Sequence, residues 1–366
     1  MTDPLARPLR LPDFEVANRV FMAPLTRSRA GEEGIPTALM AEYYGQRASA
    51  GLIISEATNI SEVARGYGDT PGLFNEAQVA GWQRVTDAVH GHGGRIFAQL
   101  WHTGRVSHEA LHPGRPCVSA SAVGSDACMA FVVTDGVGRR VPATPPVALN
   151  HDGIVQTVAD YRDAAVRAMD AGFDGVEIHA ANGYLLHQFL ASNVNQRTDE
   201  YGGSAENRAR LLLQVTDAVA GNIGSGRVAV RLSPIFRGNG IADDDPDETF
   251  TTVGGLLDDR GLAFLHLADT AVMAKGVGSN MPGVLAAVGG SFRGRIVLNG
   301  AYDAERARLD VSSGRADAIA FGRAFLANPD LPARLFADAP LNPPDPATYY
   351  GGDAHGYTDY PELDAS

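Results

Sequence analysis

The chain has 366 residues, 45% of them hydrophobic and 20% charged, the balance of a soluble globular protein with material for a large core. A formal net charge of −13 argues against a nucleic-acid partner, and no run of about eighteen apolar residues offers a membrane span. Two cysteines, Cys117 and Cys128, without a CxxC spacing exclude a disulfide framework, and the N-terminus MTDPLARPLRLPDF lacks the apolar stretch of a signal peptide, so a cytoplasmic protein with free thiols is expected.

Residues Arg10 to Asn18 alternate weakly around Pro12-Asp13 and suggest an N-terminal hairpin. Val20 to Ala23 reads as a first buried strand, followed by a helix over Thr37 to Ala50 and a second strand over Gly51 to Ser55. Glu76 to His92 is amphipathic, with Val79, Trp82, Val85 and Val89 on one face, and leads into a third strand over Arg95 to Leu100. A long insertion runs from Thr103 to about Leu149, with a hairpin turn expected at Asp135-Gly136. The helix Asp152 to Ala171 precedes strand four, Gly175 to Ile178. Ser204 has the character of an N-cap, with Asn207 at N3, for a helix reaching Asn222. Strand five (Val228 to Leu232), the helix Thr249 to Arg260, strand six (Leu262 to Leu267) and a helical stretch after Met281 follow. Strand seven (Ile296 to Leu298), the helix Asp303 to Ser312, strand eight (Ala318 to Phe321) and a last helix over Leu331 to Phe336 complete the pattern.

Eight buried strands alternating with helices predict an α/β protein: a (β/α)8 TIM barrel with an N-terminal hairpin and a long insertion after strand 3, forming one domain over residues 1–366. The strands are continuous apolar runs, as parallel strands covered on both faces should be. A doubly wound sheet would want a glycine-rich turn after strand one, and Met22-Ala23-Pro24-Leu25 offers none.

In a barrel the C-terminal strand ends face one site. Those ends deliver Thr26, Gln99, Trp101, the group His179, Asn182 and Tyr184, then Arg231 and His266. Strands seven and eight are each followed by a glycine, in Asn299-Gly300-Ala301 and Gly322-Arg323, which lets backbone N–H groups approach an anion and predicts a phosphate site with Arg323 beside it. Imidazole, carboxamide and phenol converging at one strand end suit an oxygen-bearing substrate, and no metal site is expected because Asn is a poor partner for His on a transition metal. A Schiff-base lyase would need a lysine at a strand end, and Lys275, the only lysine, lies some way into the sixth loop. A neutral polar floor, one arginine and a phosphate site fit a flat heterocycle with a phosphate tail.

The motifs NRVFMAPLTRSRA (Asn18 to Ala30), AQLWHTGR (Ala98 to Arg105), HAANGYLLHQFL with NQRTDEYGGSAENR (His179 to Arg208), AFGRAFLANPDL (Ala320 to Leu331) and YYGGDAHGYTDYP (Tyr349 to Pro361) resemble the Old Yellow Enzyme family over nearly the whole chain. Thr26, where other members carry Cys, is similar to the branch containing N-ethylmaleimide, nitroester and xenobiotic reductases. The resemblance implies FMN held without a covalent bond and reduced by NADPH or NADH. It implies contacts to the ring from Pro24, Leu25, Thr26, Ala57, Gln99 and Arg231, and to the phosphate from Gly300, Ala301, Gly322 and Arg323. His179 and Asn182 would clamp the oxygen of a small electron-poor alkene or nitro compound and Tyr184 would protonate the α-carbon. Tyr67, Trp101 and Tyr350 would line the channel, and His102 and His187 would be structural. Segments 235–247, 269–278 and the Ser119 to Pro146 insertion match no single relative, which leaves substrate, stereochemistry and the choice of nicotinamide open, as oligomeric state is. Three other readings remain: a related iron–sulfur reductase, for which two cysteines are too few; a flavin-binding barrel without turnover; and a barrel lyase using Lys275.

Overall fold

The computed structural model describes residues 3–134, 137–269, 283 and 287–363. Eight parallel strands close into a barrel: β1 (Val20–Met22), β2 (Leu52–Asn59), β3 (Ile96–Trp101), β4 (Gly175–Ala180), β5 (Val228–Leu232), β6 (Phe264–Ala268), β7 (Ile296–Asn299) and β8 (Ala318–Phe321). Each pairs with its sequence neighbours, and β8 returns to β1. The expected strand order and the TIM-barrel class both hold.

The longer helices cover the outside, each with an apolar face and a side-chain cap at its start. In the helix Ala205–Ile223, the Ser204 hydroxyl accepts from the Asn207 amide as the sequence predicts. In Glu76–Gly91, Val79, Trp82, Val85 and Val89 are buried against the barrel. Asn75, Asn150, Asp245 and Asp303 cap four other helix starts through their side chains, satisfying amides that a first turn leaves unpaired.

The inside is built in layers. Phe21, Ile54, Phe97, Ala229, Phe264 and Val297 form one apolar cluster that the N-terminal hairpin (Leu9–Arg10 paired with Glu15–Val16) closes from below. Phe14 of that hairpin packs its ring 5.7 Å from Phe97. Gly175 makes room for this layer, since a Cβ there would meet Phe97 Cζ at 2.5 Å. Side chains two residues apart on a strand share a face. Phe97, Ala229, Phe264 and Val297 are therefore followed, one layer higher, by Gln99, Arg231, His266 and Asn299. The barrel changes from dry to polar over a single step of the pleat.

Two differences from the sequence reading affect the site. Strand β2 continues past Ser55 to Asn59 through an irregularity between Ile54 and Ala57, so Glu56 and Thr58 lie within it. The apolar stretch after Tyr184 forms a short helix, Leu185–Leu190. In the insertion, strands Met129–Thr134 and Val137–Pro142 pair antiparallel, and Phe131 bridges to Tyr67. The turn at Asp135-Gly136, residues 270–278 with Lys275, and most of the stretch after Met281 lie outside the described residues. Among the described residues no helix is long and apolar enough to cross a membrane.

Candidate active site

The C-terminal mouth of the barrel holds a cavity of about 310 Å³ lined by Pro24, Thr26, Ala57, Gln99, Trp101, His179, Asn182, Tyr184 and Arg231. All nine are residues the sequence singled out, drawn from the ends of five strands. A larger hollow of about 540 Å³ is lined mainly by the loops and helices after β7 and β8, including Tyr302, Ala324 and Arg334, and holds none of the converging groups. Chemistry rather than size places the site in the smaller one.

His179, the next-to-last residue of β4, lines the cavity and is 3% exposed. The Ala181 amide donates to its Nδ1 at 3.3 Å. That fixes the proton on Nε2, so the ring has a donor to offer. Burial, with Arg231 adding to it, holds the His179 pKa well below its ordinary value, and the ring is neutral. Asn182 adopts a left-handed backbone, φ 58°, which Asn tolerates better than most residues. Two loop-five side chains hold it there: the Asn182 amide donates to Ser233 Oγ at 2.7 Å, and Asn239 Nδ2 donates to the Asn182 carbonyl at 2.9 Å.

Tyr184 sits at the start of the short helix with its hydroxyl 3.4 Å from that of Tyr67. Burial, together with Tyr67, holds its pKa well above 10, so the phenol keeps its proton across the working pH range. Tyr67 stacks on Trp101 with centroids 5.5 Å apart, and Trp101 in turn meets Tyr184 edge-on at 5.0 Å. These aromatic contacts fix three rings against one another.

Below them lies a continuous polar layer. Gln99 Nε2 donates to Glu177 Oε1 at 2.7 Å, and Glu177 Oε2 lies 2.6 Å from His266 Nδ1. Arg231 Nη1 approaches His266 Nε2 at 3.3 Å, and Arg231 Nη2 donates to Asn299 Oδ1 at 2.8 Å. Glu177 and His266 are fully buried, and burial foremost, then Arg231, hold the His266 pKa below its ordinary value against the pull of Glu177. The sequence reading named Gln99 and Arg231 but gave no role to Glu177, although a carboxylate inside the apolar run Gly175 to Ile178 was the available signal.

The remaining expected residues, Leu25, Tyr67, Gly300, Ala301, Gly322, Arg323 and Tyr350, are not among those lining this cavity. Gly300 and Gly322 follow neighbouring strands, joined where Asn299 Nδ2 donates to the Ala320 carbonyl at 2.7 Å. Ala301 and Arg323 are exposed beside them. Leu25 is half-buried between Pro24 and Thr26. Tyr350 is 57% exposed and is not in the cavity wall. Its flanking backbone is tied to the loop after β1, because Arg27 Nε donates to the Tyr349 carbonyl and the Gly351 amide donates to the Arg27 carbonyl. His102 and His187 each accept a backbone amide at Nδ1, from Gly104 and Gly183, and burial pushes their pKa values down to about 3 and about 4. Both serve as internal braces. Cys117 and Cys128 are buried free thiols.

Residues 4–342 match the sequence model of the NADH:flavin oxidoreductase / NADH oxidase family. The chain belongs to that family, the Old Yellow Enzymes. It is 41% identical over 366 residues to 12-oxophytodienoate reductase 2 of Arabidopsis thaliana, covering 99% of this chain and 96% of that protein. Among solved structures, morphinone reductase in complex with tetrahydroNAD superposes with a TM-score of 0.93 at 50% identity, covering 98% of each chain. The Old Yellow Enzyme homologue of Zymomonas mobilis gives a TM-score of 0.93 at 45% identity, covering 98% of this chain and 99% of that one. The protein is therefore a flavin oxidoreductase of the FMN-dependent, nicotinamide-consuming kind that this family comprises.

Proposed function

We propose that this enzyme uses NADPH or NADH to reduce the C=C bond of small α,β-unsaturated carbonyl or nitro compounds, and that the same site accepts nitroesters or nitroaromatics. The residues suit FMN. Three residues of the cavity wall have buried polar atoms without a partner among the described residues, Arg231 Nε, Asn182 Oδ1 and Trp101 Nε1, as expected where a polar ligand completes the bonding. Pro24, Leu25, Thr26, Ala57, Gln99 and Arg231 would hold the ring, Gly300, Ala301, Gly322 and Arg323 the phosphate. FMN, when bound, supplies the hydride that the β-carbon receives.

The observation that carries the reading is the His179–Asn182–Tyr184 group over a floor containing Arg231. The Nε2–H of neutral His179 and the carboxamide of Asn182 donate to the substrate oxygen. They draw charge from the double bond and stabilise the negative oxygen that develops. The Tyr184 phenol, neutral and held by Tyr67, gives its proton to the α-carbon. Trp101 and Tyr67 wall the substrate, with Tyr350 at the outside. Arg231 would hold the ring's polar edge and, as a fixed positive charge, favour negative charge there.

The test is isotopic. With 2-cyclohexenone in D2O and unlabelled NADPH, rapidly quenched product should carry deuterium at the α-carbon and hydrogen at the β-carbon. Deuterium at the β-carbon, or no saturated ketone, would refute the assignment.

A further inference from the structure

The buried carboxylate of Glu177 has no role in the steps just described, yet it occupies the centre of the barrel's polar layer. His266 Nδ1 lies 2.6 Å from Glu177 Oε2, and Arg231 Nη1 lies 3.3 Å from Nε2 and 3.5 Å from Nδ1 of the same ring, so the guanidinium rests against the ring face. Gln99 reaches the other carboxylate oxygen through its Nε2 at 2.7 Å. A carboxylate accepts from both partners at once, one through each oxygen. Arg231 is 5% exposed, and a buried guanidinium needs a compensating negative charge. Glu177 is the carboxylate whose field acts on it.

We propose that Glu177, acting through His266 and Gln99, is a positioning residue that sets the flavin's reduction potential and the hydrogen-bonding face Gln99 shows to the ring. The inference rests on FMN lying against Arg231 and Gln99. Two consequences follow. First, Glu177 tempers the positive charge of Arg231, both through its own field and by polarising the neutral His266 ring against which the guanidinium rests. Second, because Glu177 holds Gln99 Nε2, the carbonyl oxygen Oε1 is left without a partner among the described residues and is offered as an acceptor, suited to an N–H on the edge of a heterocycle. Glutamine at 177 would carry one acceptor and one donor. Either Gln99 or His266 would then have to turn, and the negative charge would be gone.

The experiment is the two-electron midpoint potential of FMN-loaded Glu177→Gln by dye equilibration, with the FMN dissociation constant measured by fluorescence. The expected result is a positive shift, with the ratio of reduced to oxidised flavin at a fixed potential rising about tenfold, which is about 30 mV for a two-electron couple. His266→Gln can accept from Arg231 and donate to Glu177, and its potential should stay near the unaltered enzyme's. His266→Leu keeps the carboxylate but cuts the relay, and carries the test if Glu177→Gln does not fold; its potential should also move positive. A flavin-loaded Glu177→Gln, or His266→Leu in its place, with an unchanged or lowered potential would overturn the proposal. Failure of the unaltered protein to bind FMN would instead overturn the reading on which it rests.

Discussion

The hydroxyls of Tyr184 and Tyr67 lie 3.4 Å apart, joining the cap of the short helix after strand four to a loop that the insertion hairpin braces through Phe131. Tyr184 is thus held from two directions, by its own short helix and by a ring stacked on Trp101. Tyr184→Phe should slow alkene reduction by about 10²–10⁴-fold, the usual worth of a positioned acid. Flavin reduction by the nicotinamide, which needs no proton from Tyr184, should stay within a few-fold. Tyr67→Phe should fall between Tyr184→Phe and the unaltered enzyme. Stopped-flow measurement of the two half-reactions separates them, and an equal loss in both would remove Tyr184 from the proton-transfer step.

His179→Ala and Asn182→Ala should each lower the rate of alkene reduction by about 10²–10³, the typical effect of deleting one donor to a developing oxyanion. Because both donors meet one oxygen, their losses should not add. The double variant in single-turnover kinetics checks this. Strict additivity would mean that the two side chains act on different groups.

Glu56 is fully buried, and burial pushes its pKa from 4.5 up to about 7, against the hydrogen bonds it receives from the Arg27 amide and Tyr44. A carboxyl whose folded pKa is raised binds its proton more tightly in the native state. Its contribution to stability is fully present below about 4.5 and is lost as pH rises through about 7. Glu56→Gln should therefore remove part of the decline in stability across that window. The difference in urea midpoint between variant and parent should be larger at pH about 8 than at pH about 5, and a difference independent of pH would contradict the assignment.

Gly175 leaves no room for a side chain: an added Cβ would meet the Arg227 carbonyl oxygen at 2.4 Å as well as Phe97. Gly175→Ala should destabilise the barrel by about 1–3 kcal/mol through overpacking beside backbone that cannot yield. Thermal unfolding reads the loss. An unchanged midpoint would mean that β4 can shift without cost.

Much of this was legible in the sequence because parallel barrel strands are apolar runs with polar ends. The run Val228 to Leu232 announces both a strand and, in Arg231, an inward charge. The nine cavity-lining residues were accessible for the same reason, since each follows or ends such a run. The helix Leu185–Leu190 was not, because every residue in it is buried and it shows no polar face to reveal a helical period. The continuation of β2 through Glu56 and Thr58 was hidden by polar residues that bond inside the protein: Thr58 Oγ1 donates to the Glu56 carbonyl at 2.9 Å. The polar layer of Glu177 and His266 depends on contacts between residues 89 positions apart, which no local pattern displays. Tyr350 was placed by its motif, but the exposure of its ring is set by how Arg27 holds the tail, a long-range contact of the same kind.

The most direct test of the account is an anaerobic absorbance titration of the FMN-loaded protein, adding NADPH and then 2-cyclohexenone. The account predicts that the flavin band bleaches with one equivalent of NADPH and returns on addition of the enone, with His179→Ala bleaching normally and recovering far more slowly. A flavin that bleaches but does not recover with the enone or any other activated alkene would contradict the assignment of His179, Asn182 and Tyr184 to alkene reduction.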